Sequence, residues 1–192
     1  MAKKLVGIVD FQVDFLDLVG SKLPIPGSKE LIIPMTQYLI DLNPDEIEAV
    51  VFTKDWHEAD FVETMPDGTP FPSHCVKNTV GSRLAVNQLV INSDIPVYTI
   101  YKNAFDTFEE DNLRIEGYGT MKTRDQFFSE MLAAGVNEIE VGGVATDICV
   151  DFFVRGVAAL GFDVTVKGSI SKGLFRQIEE MGDDWQGITR EV

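Results

Sequence analysis

The sequence predicts an α/β domain: a three-layer α/β/α arrangement around a doubly wound, mostly parallel sheet, spanning residues 1–192 as one domain. Two observations point there. Short, continuous Val-, Ile- and Phe-rich runs suit strands covered on both faces. Longer amphipathic stretches separate them, which is the alternation of a parallel sheet with crossover helices. Strands are expected at residues 5–9, 47–53, 96–101, 138–141 and 163–167. Helices are expected at 31–42, 81–91, 123–134 and 147–160. Pro34 is tolerable only in a first turn. Thr123 and Gln126 have capping-box spacing, and Gly135 and Gly161 supply stops. Residues 17–28 and 56–79 read as long loops, the kind that carries function in compact domains.

The 192 residues carry 31 acidic and 16 basic side chains, a net charge of −15. Such a surface repels phosphate, so nucleic acid is excluded as a partner, and so is an anionic membrane. No apolar run is long enough to span a bilayer. Residues 1–10 lack the apolar core of a secretory signal. The two cysteines, Cys75 and Cys149, then read as thiols in a reducing cytoplasm. Neither a Gly-x-Gly-x-x-Gly nor a Walker loop is present, so nucleotide binding has no support. A homo-oligomer is compatible with the sequence.

In a parallel sheet the carboxyl ends of all strands share one edge, where ligands bind. The first expected strand runs into Asp10 and the second into Asp55 and His57. The third runs into Lys102, and the fourth into Gly142-Gly143-Val144-Ala145-Thr146-Asp147, with Cys149 opening the next helix. A helix N-terminus and an ammonium both favour a thiolate. Asp10 could take the thiol proton and return it to a leaving amine. Read singly, Cys149 is more simply a buried structural cysteine, and Asp10 with Lys102 a plain ion pair. Asp55 and His57, two apart in extended chain, point to one side, and His74 is the only other histidine. Two His and one Asp suit a divalent ion with open positions. Glu63 and Asp67 are further oxygen donors nearby. Phe11, Phe15, Phe71, Phe105 and Phe108 flank these points and could wall a flat ring.

These residues resemble a known family. Asp10-Phe11-Gln12-Val13-Asp14-Phe15 is similar to the opening motif of the isochorismatase-like cysteine hydrolases. Gly142-Gly143-Val144-Ala145-Thr146-Asp147-Ile148-Cys149-Val150 is similar to their nucleophile segment. Asp55-x-His57 with Phe71-Pro72-Ser73-His74-Cys75 looks like the nicotinamidase branch. The chain lacks the further His that many nicotinamidases carry soon after Asp-x-His. The resemblance implies the isochorismatase-like hydrolase fold and a triad of Asp10, Lys102 and Cys149. It implies one divalent metal on Asp55, His57 and His74, with Zn the expected ion and Fe or Mn the alternatives. It implies a ring held by Phe15 and Phe71, a cis Val144–Ala145 bond, and an oxyanion hole from the N–H groups of Ala145 and Cys149. The implied reaction converts nicotinamide, or a similar small amide substrate, to the acid and ammonia through a cysteine thioester. A metal-free cysteine hydrolase acting on another amide, carbamoyl or isochorismate-like compound is the alternative, and a non-catalytic binding module a more distant one.

Overall fold

The computed structural model describes residues 3–62, 64, 68–117 and 119–192. An eight-stranded sheet has the order β5-β4-β3-β2-β1-β6-β7-β8. Its strands are β1 (Lys4–Val9), β2 (Ile47–Asp55), β3 (Val97–Lys102), β4 (Arg114–Gly117), β5 (Thr120–Thr123), β6 (Glu138–Val144), β7 (Asp163–Lys172) and β8 (Thr189–Glu191). Strands β3, β2, β1, β6, β7 and β8 are parallel to one another, while β4 and β5 form an antiparallel hairpin that pairs antiparallel with β3 on one edge.

Alternate residues of β1 feed two cores. Leu5 and Val9 pack with Phe127 and Phe128 of α2 (Arg124–Ala133) and with Val150, Phe153 and Val157 of α3 (Cys149–Leu160). Val6 and Ile8 pack with Met35 and Leu39 of α1 (Ile32–Ile40). Helices therefore cover both faces, as a period-two strand with two apolar faces requires. The Thr123–Gln126 capping box is present at the start of α2. Pro34 lies in the first turn of α1, where its missing N–H leaves no bond unmade.

The chain leaves β1 toward β2 on one side and later places β6 on the other side of β1. The sheet therefore reverses its winding between β1 and β6, which opens a crevice at their carboxyl ends. Gly143, at φ 128°, makes the close approach there. A Cβ on it would lie 2.1 Å from the Val9 carbonyl oxygen.

One expected element is absent. Residues 81–91 form no α-helix, only a short 3-10 turn at Gln88–Val90. Their backbone is used elsewhere: Val13 N–H donates to Arg83 O, Asp14 N–H to Gly81 O and Ala85 N–H to Phe11 O. That lateral pairing with the segment after β1 displaces helical i→i−4 bonds. Conversely, β4, β5 and β8 are strands that apolar patterning does not announce. β8 is exposed throughout, and Ile115 is the one buried residue of β4. No helix among the described residues is long and apolar enough to cross a membrane.

Candidate active site

Asp10 follows β1 with φ 45°, the left-handed region that non-glycine residues rarely enter. Strand β2 holds it there. Its N–H donates to the Thr53 carbonyl at 3.2 Å, and the Thr53 hydroxyl donates to Asp10 Oδ1 at 2.6 Å. Lys102 closes β3 with no exposed surface. Its Nζ lies 2.8 Å from Asp10 Oδ2, 3.0 Å from Ala104 O and 3.7 Å from Cys149 Sγ, and it donates to Asp55 Oδ1. Cys149 is the first residue of α3, so its N–H is one of the helix's unpaired donors. Ala145 borders the same pocket, and the peptide bond between Val144 and Ala145 is cis. Val144 itself is fully buried.

Electrostatics follow from burial and a single ammonium among acids. Burial raises the Asp10 carboxyl above its usual value, although Lys102 opposes the shift. Burial acts on Asp55 in the same sense, but Lys102 and the two histidines outweigh it and hold that carboxyl below the usual range. Lys102 loses stability from burial yet gains more from Asp10 and Asp55, so it keeps its proton. Burial, aided by Asp10 and Asp55, lifts the Cys149 thiol well above its ordinary value against the pull of Lys102. Burial thus opposes the thiolate that Lys102 favours, and the Asp10 carboxyl stands within 4.8 Å of the sulfur.

Asp55, His57 and His74 bring one ligand atom each within 4.8 Å of one another, all buried. Both His57 and His74 place Nε2 3.6 Å from Asp55 Oδ2. These residues fit a divalent ion. Neither ring nitrogen of His57 has a hydrogen-bond partner among the described residues, which is costly for buried imidazole unless an ion takes the lone pair. His74 Nδ1 lies 2.7 Å from Pro72 O, so its N–H donates there and Nε2 turns a lone pair toward Asp55. His57 stacks on Phe61 at 4.5 Å. Glu63 and Asp67 lie outside the described residues.

A narrow cavity of ≈ 20 Å³ reaches Cys149, walled by Phe15, Phe71, Phe105, Leu23, Ile25 and Leu174, with Asp55 and His74 also lining it. Phe71 and Phe105 meet edge to face at 5.6 Å. Phe11 and Phe108 are not among the walls. Phe11 is core, and Phe108 packs on Phe128 and Phe153 beneath the Arg124 guanidinium.

Two supporting residues escaped assignment from the sequence. Gln12 accepts from Asp55 N–H at 2.8 Å and donates to Asp55 O and Ser82 O at 2.9 and 3.1 Å. Asp14 accepts from Cys75 N–H at 2.8 Å, which ties the His74 loop to the segment after β1. Gly81 packs on that carboxylate with no room for a Cβ. The only sequence signal for either residue was its place in the Asp-x-Gln-x-Asp spacing.

The Isochorismatase domain model matches residues 4–169. The chain belongs to the isochorismatase-like α/β hydrolases, and its relatives place it on the nicotinamidase branch, as an amidohydrolase. It is 27% identical to the nicotinamidase of Escherichia coli over 188 residues, covering 86% of this chain and 81% of that one. It is 26% identical to the nicotinamidase of Saccharomyces cerevisiae over 201 residues, covering 85% of each. Its fold is similar to that of the pyrazinamidase of Pyrococcus horikoshii in complex with zinc, with TM-score 0.73, 26% identity and 98% of each chain covered.

Proposed function

We propose that this protein hydrolyses nicotinamide, or a closely similar heteroaromatic carboxamide, to the carboxylic acid and ammonia. The observation that carries the reading is one buried ammonium, Lys102, in contact with Asp10, Asp55 and Cys149 at the end of an aromatic pocket. The ring enters between Phe15 and Phe71, with its carboxamide carbon toward Cys149. Asp10 removes the thiol proton as sulfur attacks, and the oxyanion is held by the N–H groups of Ala145 and Cys149. Asp10 then gives that proton to the nitrogen as the C–N bond breaks, releasing ammonia and leaving a thioester. With Asp10 again as base, water attacks the thioester carbon, and the acid departs as the thiol re-forms. Lys102 keeps its charge throughout and balances the carboxylates.

Asp55, His57 and His74 would hold a divalent ion, for which zinc is supported by the complex of the Pyrococcus horikoshii relative. When bound, the ion supplies a Lewis acid that orients the pyridine nitrogen. Both cysteines are free and buried, in keeping with a reducing, cytoplasmic setting. The product, a pyridine carboxylate, would suit pyridine-nucleotide salvage. The test is ammonia release from nicotinamide and a panel of small aliphatic and carbamoyl amides, before and after chelation. The proposal expects nicotinamide or pyrazinamide to lead the panel and chelation to suppress the rate. Preference for an aliphatic or carbamoyl amide, unaffected by chelation, would overturn it.

A further inference from the structure

The pocket over Cys149 shares part of its wall with a second space. Phe71, Phe105 and Ile148 line it and also line an adjoining groove of ≈ 520 Å³ that opens to solvent. Phe152 of α3 and Phe175 supply the rest of the groove's apolar wall, at 39% and 64% exposure. Two carboxylates also border it, but both are already engaged. Asp147 accepts from the N–H groups of Leu174, Phe175 and Arg176 at 2.8, 2.8 and 2.9 Å. Asp151 accepts from Trp185 Nε1 and Arg155 Nε at 2.5 and 2.7 Å. Among the described residues, Thr64 adds one hydroxyl side chain, and the remaining lining is aromatic and apolar.

Residues 173–177 join the two spaces. Leu174 walls the inner pocket and Phe175 the outer groove. This loop is built around Asp147, two residues before Cys149. Gln177 fastens its other end, donating to Gly173 O and accepting from Gly173 N–H, both at 3.1 Å. A Cβ on Gly173 would lie 1.7 Å from Arg176 O, so the loop's path admits little else there. The family match ends at residue 169, ahead of the loop.

We propose that the outer groove is a second substrate subsite, taking an apolar or aromatic extension of a heteroaromatic carboxamide whose carbonyl lies at Cys149. Asp147 is the positioning residue for its wall. The proposal rests on the amidase reading above and names the substrate class more narrowly. Adjacency argues for this occupant: Phe71, Phe105 and Ile148 border both spaces, so a substituent passing these three side chains lies directly on the groove.

The experiment compares nicotinamide with nicotinamides carrying a phenyl or benzyl group on the ring. Hydrolysis is measured with the parent protein and with Phe152→Ala, Phe175→Ala and Asp147→Asn. Binding is measured by calorimetry on Cys149→Ala. The parent should cleave at least one extended amide, and Cys149→Ala should bind it more tightly than nicotinamide. Each Phe→Ala variant should lower kcat/KM for the extended amide, relative to nicotinamide, by about fivefold. Asp147→Asn should act in the same direction, through KM more than kcat. A parent that cleaves nicotinamide but neither binds nor cleaves any extended amide would overturn the proposal, as would unchanged ratios in the Phe variants. So would a dimer, seen by sedimentation and dissociated by Phe175→Asp, because a second copy would then cover the groove. Failure to bind or cleave either kind of amide would overturn the amidase reading together with the subsite.

Discussion

Lys102 and Asp55 join two clusters through a single carboxylate. Asp55 Oδ1 accepts from the Lys102 ammonium, while Oδ2 faces Nε2 of His57 and of His74 at 3.6 Å. The same ammonium contacts Asp10 and Cys149, and Asp55 also offers a ligand atom within 4.8 Å of both. The candidate catalytic and metal sites thus share Asp55. A change in Lys102 should therefore be felt in both.

Lys102→Met keeps the stem and removes the charge. Asp10 and Asp55 are then left buried without their cation. Breaking a buried pair from one side costs roughly 3–5 kcal/mol. Urea unfolding of chelated protein should show a loss of that order, with turnover abolished. A loss under about 1 kcal/mol would mean that water reaches the two acids.

Cys149→Ala tests chemistry apart from folding. The thiol is buried, but it lines a cavity and is not packed wholly within the core. Ammonia release should fall by about a thousandfold or more, as expected when covalent and proton-transfer steps are lost together. Thermal unfolding should move little by comparison. A variant that still releases ammonia at the parent rate would refute the thioester.

His57→Ala and Gln12→Ala separate holding an ion from aiming its ligands. His57→Ala removes a nitrogen that has no hydrogen-bond partner among the described residues, so metal content by mass spectrometry should fall while the fold persists. Gln12→Ala strips partners from three buried backbone groups, two of them on Asp55. Each group left bare costs about 1–3 kcal/mol. Metal affinity should also drop, by roughly 10–100-fold for the loss of a group that orients a ligand. Unchanged metal affinity in Gln12→Ala would limit Gln12 to a structural clamp.

The edge that gathers Asp10, Asp55, Lys102 and Cys149 was legible because a parallel sheet sends all its strand ends one way. Apolar runs interrupted by a single charged residue show where those ends fall. The supports were not legible, because they are long-range. Gln12 and Asp55 lie 43 residues apart, and Asp14 and Cys75 lie 61 apart. Residues 81–91 misled for a related reason. Leu84, Val86 and Val90 fall at spacings that a helix would use, yet their segment pairs laterally with residues 11–14. The β4–β5 hairpin and β8 bury too little apolar surface to leave a pattern. Leu174, which narrows the pocket, sits on a loop whose path depends on Asp147, far away in sequence.

At the opposite end of the sheet, Glu140 of β6 gives a pH signature independent of catalysis. Lys4 of β1 and Tyr38 of α1 each donate to it at 2.7 Å, and Lys167 of β7 lies 4.0 Å away while also pairing with Glu191 of β8. Burial pushes the Glu140 carboxyl up, but Lys4, Tyr38 and Lys167 together bring it below the ordinary 4.5. A carboxyl depressed in the folded state stabilises the fold above its unfolded value, and that contribution disappears as pH falls through the folded value. Glu140→Gln should therefore cost about 1 kcal/mol at pH 7, since the side chain is only partly buried, at 17% exposure. The gap from the parent should narrow as pH is lowered through 4.5 and beyond. Chemical denaturation of both proteins at several pH values measures this. A gap that stays constant with pH would show that Glu140 acts through packing and not through its charge.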